Sequence, residues 1–220
     1  MQDISTYKQI LPRDERYCIP SLNEVKIISD KQTLSLALGS CISTIMIGKE
    51  KDYYLAANHI VIAQPLATAI IATKSAVEQI EEIVNIFSDV LHIKKFYCLH
   101  LLGAGVKLVS STFDVHEKNV IQTLDALFNK NINIIFNDTG SYFFSSYSLY
   151  GQYLSVFLEN KKTSNHKSFV INLEQLFTID VSDPVLFPTS MLDAKNNGFE
   201  YLVEKMIITS ITGKRSINPI

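Results

Sequence analysis

One interruption constrains this chain more than any other feature. From Thr33 to Leu38 the residues alternate, with Leu34, Leu36 and Leu38 on one side and Thr33, Ser35 and Ala37 on the other. Gly39-Ser40 breaks the alternation, and Cys41-Ile42-Ser43-Thr44-Ile45-Met46-Ile47 resumes as a nearly continuous apolar, β-branched run. A period of two belongs to a half-buried strand and a short apolar run to a fully buried one. The chain is therefore predicted to bend between two strands at a pair of small residues, with a cysteine directly after the bend. A charged turn at Gly48 to Asp52 separates this run from a third strand, Tyr53 to Ile62, which stops before Pro65.

The remaining pattern predicts helices and further strands. Val25 to Ile28 is a short strand. Thr68 to Leu91 is the clearest helix, with Val77, Ile80, Ile83, Val84, Phe87 and Val90 at helical spacing and Glu78, Glu81 and Glu82 on a solvated face. Lys95 to Leu102 reads as a strand that runs into the small-residue turn Gly103-Ala104-Gly105, where backbones can approach closely. A second helix is predicted from about Val115 to Asn129 with Asp114 as its cap. Ile132 to Phe136 is a buried strand, and Asn137-Asp138-Thr139-Gly140 has turn composition. Ser141 to Phe157 suggests a hairpin around Gly151, and Asn160 to Lys167 a linker or exposed loop. Phe169 to Leu173 and Phe199 to Ile208 are a strand and a helix candidate, separated by Pro184 and Pro188. Short strands alternating with two strong helices predict a mixed α/β fold in which helices cover a sheet system.

Composition narrows the function classes. A formal net charge of −2, with no run of basic residues longer than two, argues against a nucleic-acid reader. Residues 1–16 lack the apolar stretch of a signal peptide, and no apolar run approaches the length that crosses a bilayer, so membrane insertion is not expected. Three cysteines without CxxC spacing fit thiols in a reducing, cytoplasmic compartment better than a disulfide framework. Cys98-x-His100 lacks a second ligand pair for a metal, and Gly103-Ala104-Gly105 lacks the third glycine of a dinucleotide loop. No cofactor is called for.

The remaining chemistry centres on Cys41. A thiol becomes a nucleophile when it is partly exposed and a histidine or backbone amides favour its thiolate. His59 lies 18 residues further on, within the third strand, where a strand-turn-strand can fold it back beside Cys41. Gly39 and Ser40 are the backbone candidates for an oxyanion site. On the Gly-Ser-Cys triplet alone a buried core cysteine is the stronger reading.

A wider pattern shifts that weighting. Leu36-Ala37-Leu38-Gly39-Ser40-Cys41-Ile42-Ser43, followed by Asn58-His59-Ile60-Val61-Ile62-Ala63-Gln64-Pro65, resembles the CheD family of bacterial chemotaxis proteins. Gly103-Ala104-Gly105, Asn119 and Asp138-Thr139-Gly140 follow in the family's order, so the resemblance spans about residues 25–158. Residues 1–24 then form a lead-in and residues 159–220 an extension of unassigned role. The arginine that the family usually carries in its late hairpin has no counterpart in Ser141 to Tyr147.

The resemblance implies a layered sandwich of two β-sheets flanked by helices. It implies an enzyme that deamidates glutamine side chains on the cytoplasmic helices of chemoreceptors, and that also hydrolyses glutamate methyl esters. Cys41 would be the nucleophile and His59 the base. Ser35, six positions before the cysteine where the family has threonine, would orient His59 through its hydroxyl. An alternative within the same resemblance is a regulatory module that docks on receptors or on a CheC-type phosphatase with little catalysis.

Overall fold

The computed structural model describes residues 16–60, 74–104, 113–141, 143–178, 191 and 207–210. Its elements in chain order are β1 (Tyr17–Cys18), β2 (Val25–Ile28), β3 (Thr33–Leu38), β4 (Ile42–Lys49), β5 (Tyr53–Asn58), α1 (Ala76–Asn85), β6 (Lys95–Ala104), α2 (Phe113–Asn129), β7 (Ile134–Ser141), β8 (Phe143–Tyr150), β9 (Tyr153–Asn160), β10 (Asn165–Asn172), α3 (Leu173–Thr178) and β11 (Ile207–Ser210). A π-helical turn, Ile86–Val90, extends α1.

The strands form two mixed sheets. One has the order β1-β3-β8-β9-β10-β11 and the other β2-β5-β4-β6-β7. Burial along each strand reveals the layers. In β3, β8 and β9 buried positions alternate with half-buried or exposed ones, as in a sheet packed on one face. In β4, residues 42–48 are all buried, and β6 is nearly as continuous, as in a sheet covered on both faces. One face of the five-stranded sheet meets the other sheet through Ile45, Leu55, Leu99 and Phe136, packed on Leu36 and Tyr147. Its opposite face, with Ile42, Met46 and Leu101, packs under Ile80 and Ile83 of α1 and Leu127 of α2. The architecture is a mixed α/β sandwich of helices, sheet and sheet, as expected.

Several predicted elements are corrected. Of the helix predicted from Thr68, residues 68–73 lie outside the described residues, and α1 begins at Ala76. Ser75 is its N-cap: its Oγ accepts the Glu78 N–H at 3.2 Å, while the Glu78 carboxylate accepts the Ser75 N–H at 2.6 Å. The acidic face is also paired, Glu82 with Lys74 at 2.7 Å and Glu81 with Lys130 at 2.8 Å. α2 starts at Phe113, so Asp114 lies inside it rather than before it.

Asn137 to Gly140 does not form a turn, because β7 runs through it to Ser141. The Asp138 carboxylate is drawn inward by its buried hydrogen bond to His100, and Gly140, at φ +93°, lets the chain pass from one sheet to the other. The segment predicted as a loop from Asn160 to Lys167 is a tight exposed turn, after which β10 pairs with β9 from Asn165 onward. Residues 165–178 are thus built into the six-stranded sheet and the core, where Leu173 and Leu176 are fully buried. Ile207 and Ile208 belong to a strand rather than to the predicted helix, whose residues 199–206 lie outside the described residues. No helix among the described residues is long and apolar enough to cross a membrane.

Candidate active site

Cys41 stands at a corner between the sheets. β3 belongs to one sheet and β4 to the other, so Gly39-Ser40-Cys41 is a crossover and not the tip of a hairpin. The second crossover, from β7 to β8, lies beside it. Leu38 pairs with Phe143, and Ala104 pairs with both the Cys41 carbonyl and Ser141. Two backbone bonds hold Cys41 in place: its carbonyl accepts the Ala104 N–H at 2.8 Å, and the next residue's N–H donates to Ile60 at 3.0 Å.

The glycine that permits this corner is Gly103. Gly39 is not among the residues with positive φ, whereas Gly103 has φ +106° and Ala104 φ +59°. A Cβ at Gly103 would collide with the Cys41 carbonyl oxygen. The close backbone approach predicted for this small-residue turn is therefore realised, and its beneficiary is the cysteine's own peptide group. Gly105 lies outside the described residues.

His59 reaches the corner through the β4–β5 hairpin. Lys49 pairs with Tyr53, which leaves Glu50, Lys51 and Asp52 as the loop. Turn length sets register: Ile45 pairs with Ala57, and Ile42 exchanges two backbone bonds with Ile60, at 3.0 and 2.8 Å. Cys41 and His59 therefore flank the Ile42–Ile60 pair from opposite sides. Both fall on the alternation of Ile45 and Ala57, which faces the other sheet. Diagonal neighbours of this kind stand about 7–8 Å apart, a span across which an aromatic ring such as the His59 imidazole can reach. Both residues are half-buried.

The imidazole is anchored on one side. Its Nδ1 lies 3.1 Å from the carbonyl oxygen of Pro20. Its backbone is latched to the same segment, with Asn23 N–H donating to the His59 carbonyl at 2.8 Å and His59 N–H to Glu24 at 3.1 Å. The adjacent Asn58 is fully buried, and its Oδ1 accepts the Thr44 N–H at 2.7 Å, which stiffens the end of β5. Burial lowers the His59 pKa below its ordinary range, and the Pro20 carbonyl offsets only part of that. The ring is therefore neutral at pH 7.

Ser35 is not part of this group. Leu34, Leu36 and Leu38 point into the core, so Ser35 projects from the other face of its sheet, and its hydroxyl donates to Ser146 Oγ at 3.3 Å. The expected contact with His59 is corrected on that ground: strand alternation places the hydroxyl on the wrong side. Gly39 and Ser40 occupy the crossover bend beside Cys41.

A second polar cluster lies deeper between the sheets, and sequence reasoning did not assemble it. Fully buried His100 on β6 has Nε2 2.7 Å from Asp138 Oδ2 on β7 and Nδ1 2.7 Å from the Tyr147 hydroxyl on β8. Asp138 Oδ2 also accepts the backbone N–H of Met191 at 2.8 Å. A polar His100 within the apolar run Phe96 to Leu102 was the visible signal, but its partners lie on other strands. Burial above all pushes the Tyr147 phenol well above its ordinary pKa. Among the described residues no cluster of three metal-ligating side chains occurs.

Compared with protein-family models and with curated proteins, the chain matches none.

Proposed function

We propose that the protein is a cysteine-dependent amidohydrolase acting on glutamine side chains of a helical protein substrate, with Cys41 as nucleophile and His59 as base. The observation that carries this reading is the Ile42–Ile60 pair, which sets a half-buried thiol and a half-buried neutral imidazole on one face at the mouth between two sheets. In this reading His59 Nε2 takes the thiol proton as Cys41 Sγ attacks the amide carbon. The tetrahedral oxyanion is met by amides of the Gly39–Cys41 bend. Collapse breaks the C–N bond, and the imidazolium proton leaves with ammonia, which leaves a thioester. Water, deprotonated by His59, hydrolyses the thioester to glutamate and restores the thiol. The imidazole's Nδ1 is engaged by the Pro20 carbonyl, and contacts between catalytic groups commonly tighten when substrate is bound.

The chemoreceptor assignment rests on the resemblance to the CheD family in residues 36–43 and 58–65. Under it the protein works in the cytoplasm on receptor helices, and methyl esters are a second substrate. Tyr17, Ile19 and Leu22 support a helical partner, being 70%, 67% and 58% exposed on the segment that carries Pro20. An apolar rim beside the imidazole suits the apolar stripe of an amphipathic helix. The same rim supports the second reading, a docking module for receptors or a CheC-type phosphatase.

Incubation with receptor cytoplasmic fragments, followed by mass spectrometry, tests the proposal. The expected product is a gain of about 1 Da per glutamine converted, lost in Cys41→Ala and His59→Ala. Turnover that survives Cys41→Ala sinks it. Iodoacetamide gives a substrate-free check: Cys41 should react faster than Cys18, and far faster than fully buried Cys98, whose pKa burial pushes well up.

A further inference from the structure

We infer that the backbone carbonyl of Pro20 is the group that positions His59, and that the turn Ser21 to Glu24 is the device that holds it there. The inference rests on the reading of Cys41 and His59 as nucleophile and base. It assigns the orienting role, which Ser35 does not fill, to a main-chain atom of the N-terminal lead-in.

A neutral imidazole has one N–H and one lone pair. A carbonyl oxygen only accepts, so at 3.1 Å from Pro20 the proton must sit on Nδ1 of His59. Nε2 is then the lone-pair nitrogen, the form that can receive a proton from a thiol. A free neutral histidine prefers the opposite tautomer, so the protein has to select this one.

The selecting carbonyl is itself well fixed. Pro20 is buried, and its ring locks φ. The following turn is closed by Glu24 N–H on the Ser21 carbonyl at 3.1 Å and by Ser21 N–H on the Glu24 carboxylate at 2.8 Å. Asn23 takes the left-handed conformation, φ 61°, and from it donates to the His59 carbonyl at 2.8 Å. Turn and histidine are therefore tied by three contacts: Nδ1 on Pro20, the Asn23 N–H on His59, and the His59 N–H on Glu24. Ser35, bonded to Ser146 on the far face, has no part in them.

The test uses the full chain and two readouts: the 15N shifts of the His59 ring, which report the tautomer, and the pH profile of Cys41 alkylation by iodoacetamide. Wild type should show the proton on Nδ1. Asn23→Val opposes the left-handed turn, and Glu24→Ala removes its closing carboxylate. Either should move a sizeable fraction of the proton to Nε2 and slow Cys41 alkylation at neutral pH by about tenfold. Asn23→Gly, which keeps the turn, and Ser35→Ala should leave both readouts as in wild type. Where Asn23→Val does not fold, Glu24→Ala carries the comparison, and the wild-type tautomer decides on its own. A proton on Nε2 in wild type overturns the assignment, as does a tautomer shift in Ser35→Ala. If wild-type Cys41 reacts no faster than in His59→Ala, the catalytic pair itself fails. A fast, His59-dependent Cys41 beside an Nε2–H ring overturns only the role of Pro20.

Discussion

His59, just past the end of β5, and His100, within β6, are held in opposite ways. His100 is fully buried and has a side-chain partner at each nitrogen, the Asp138 carboxylate and the Tyr147 hydroxyl. His59 is half-buried and is held at Nδ1 by a main-chain carbonyl. A ring engaged at both nitrogens cannot pass on a proton without breaking a bond, so His100 is suited to joining strands. A ring fixed at one nitrogen keeps the other for chemistry. The two histidines therefore separate structural and reactive roles by the number of ring atoms committed.

The comparison breaks first, and most severely, at Asp138. Removing its carboxylate leaves the buried Nε2 of His100 and the Met191 amide without their partner. Losing one member of a buried pair costs about 3–5 kcal/mol, a large share of a domain's total stability. Asp138→Ala should lower the urea midpoint accordingly at an unchanged m-value. His100→Ala in the same background should add much less than it costs alone, because the pair's coupling is already gone. A loss in Asp138→Ala below about 1 kcal/mol would show that the buried pair contributes little to stability.

The next effect lies at the corner that His59 serves. Gly103 and Gly140 both have positive φ, +106° and +93°, but a Cβ at Gly140 meets nothing within 4 Å. Each alanine substitution carries the backbone strain of about 1–3 kcal/mol. Only Gly103→Ala adds the collision with the Cys41 carbonyl. It should be the more destabilising of the two, and it alone should change the alkylation rate of Cys41. Equal effects in both would mean that Gly103 serves the strand and not the cysteine.

Much of this arrangement was legible in the residues. The Leu34, Leu36, Leu38 alternation marks a one-sided sheet, and the unbroken run after Cys41 a two-sided one, which together define the layers. The three-residue loop at Glu50 to Asp52 sets the register that puts residues 41 and 59 on one face. The same alternation already spoke against Ser35, since a residue between two core leucines must face away from them. Two things were not legible. Turn composition at Asn137 to Gly140 hid a buried aspartate, because the imidazole that engages it stands 38 residues away in sequence. And a main-chain carbonyl leaves no trace in residue identity, so nothing in Pro20 itself announces a hydrogen bond to an imidazole.

The smallest effect is the pH dependence of stability, and it probes His59 directly. Its folded pKa is depressed, chiefly by burial, below the 6.5 of the unfolded chain. At pH values between the two the unfolded chain holds a proton that the native state does not, so acid favours unfolding. The contribution is fully present above 6.5 and is lost as pH falls through the folded value. Urea midpoints of the wild type should therefore decline as pH drops below about 6.5, before most carboxylates titrate. His59→Gln, which keeps a polar side chain but cannot take the proton, should flatten that limb. A decline of the same steepness in His59→Gln would place the titrating group elsewhere, and burial of His59 would no longer account for its being neutral beside Cys41.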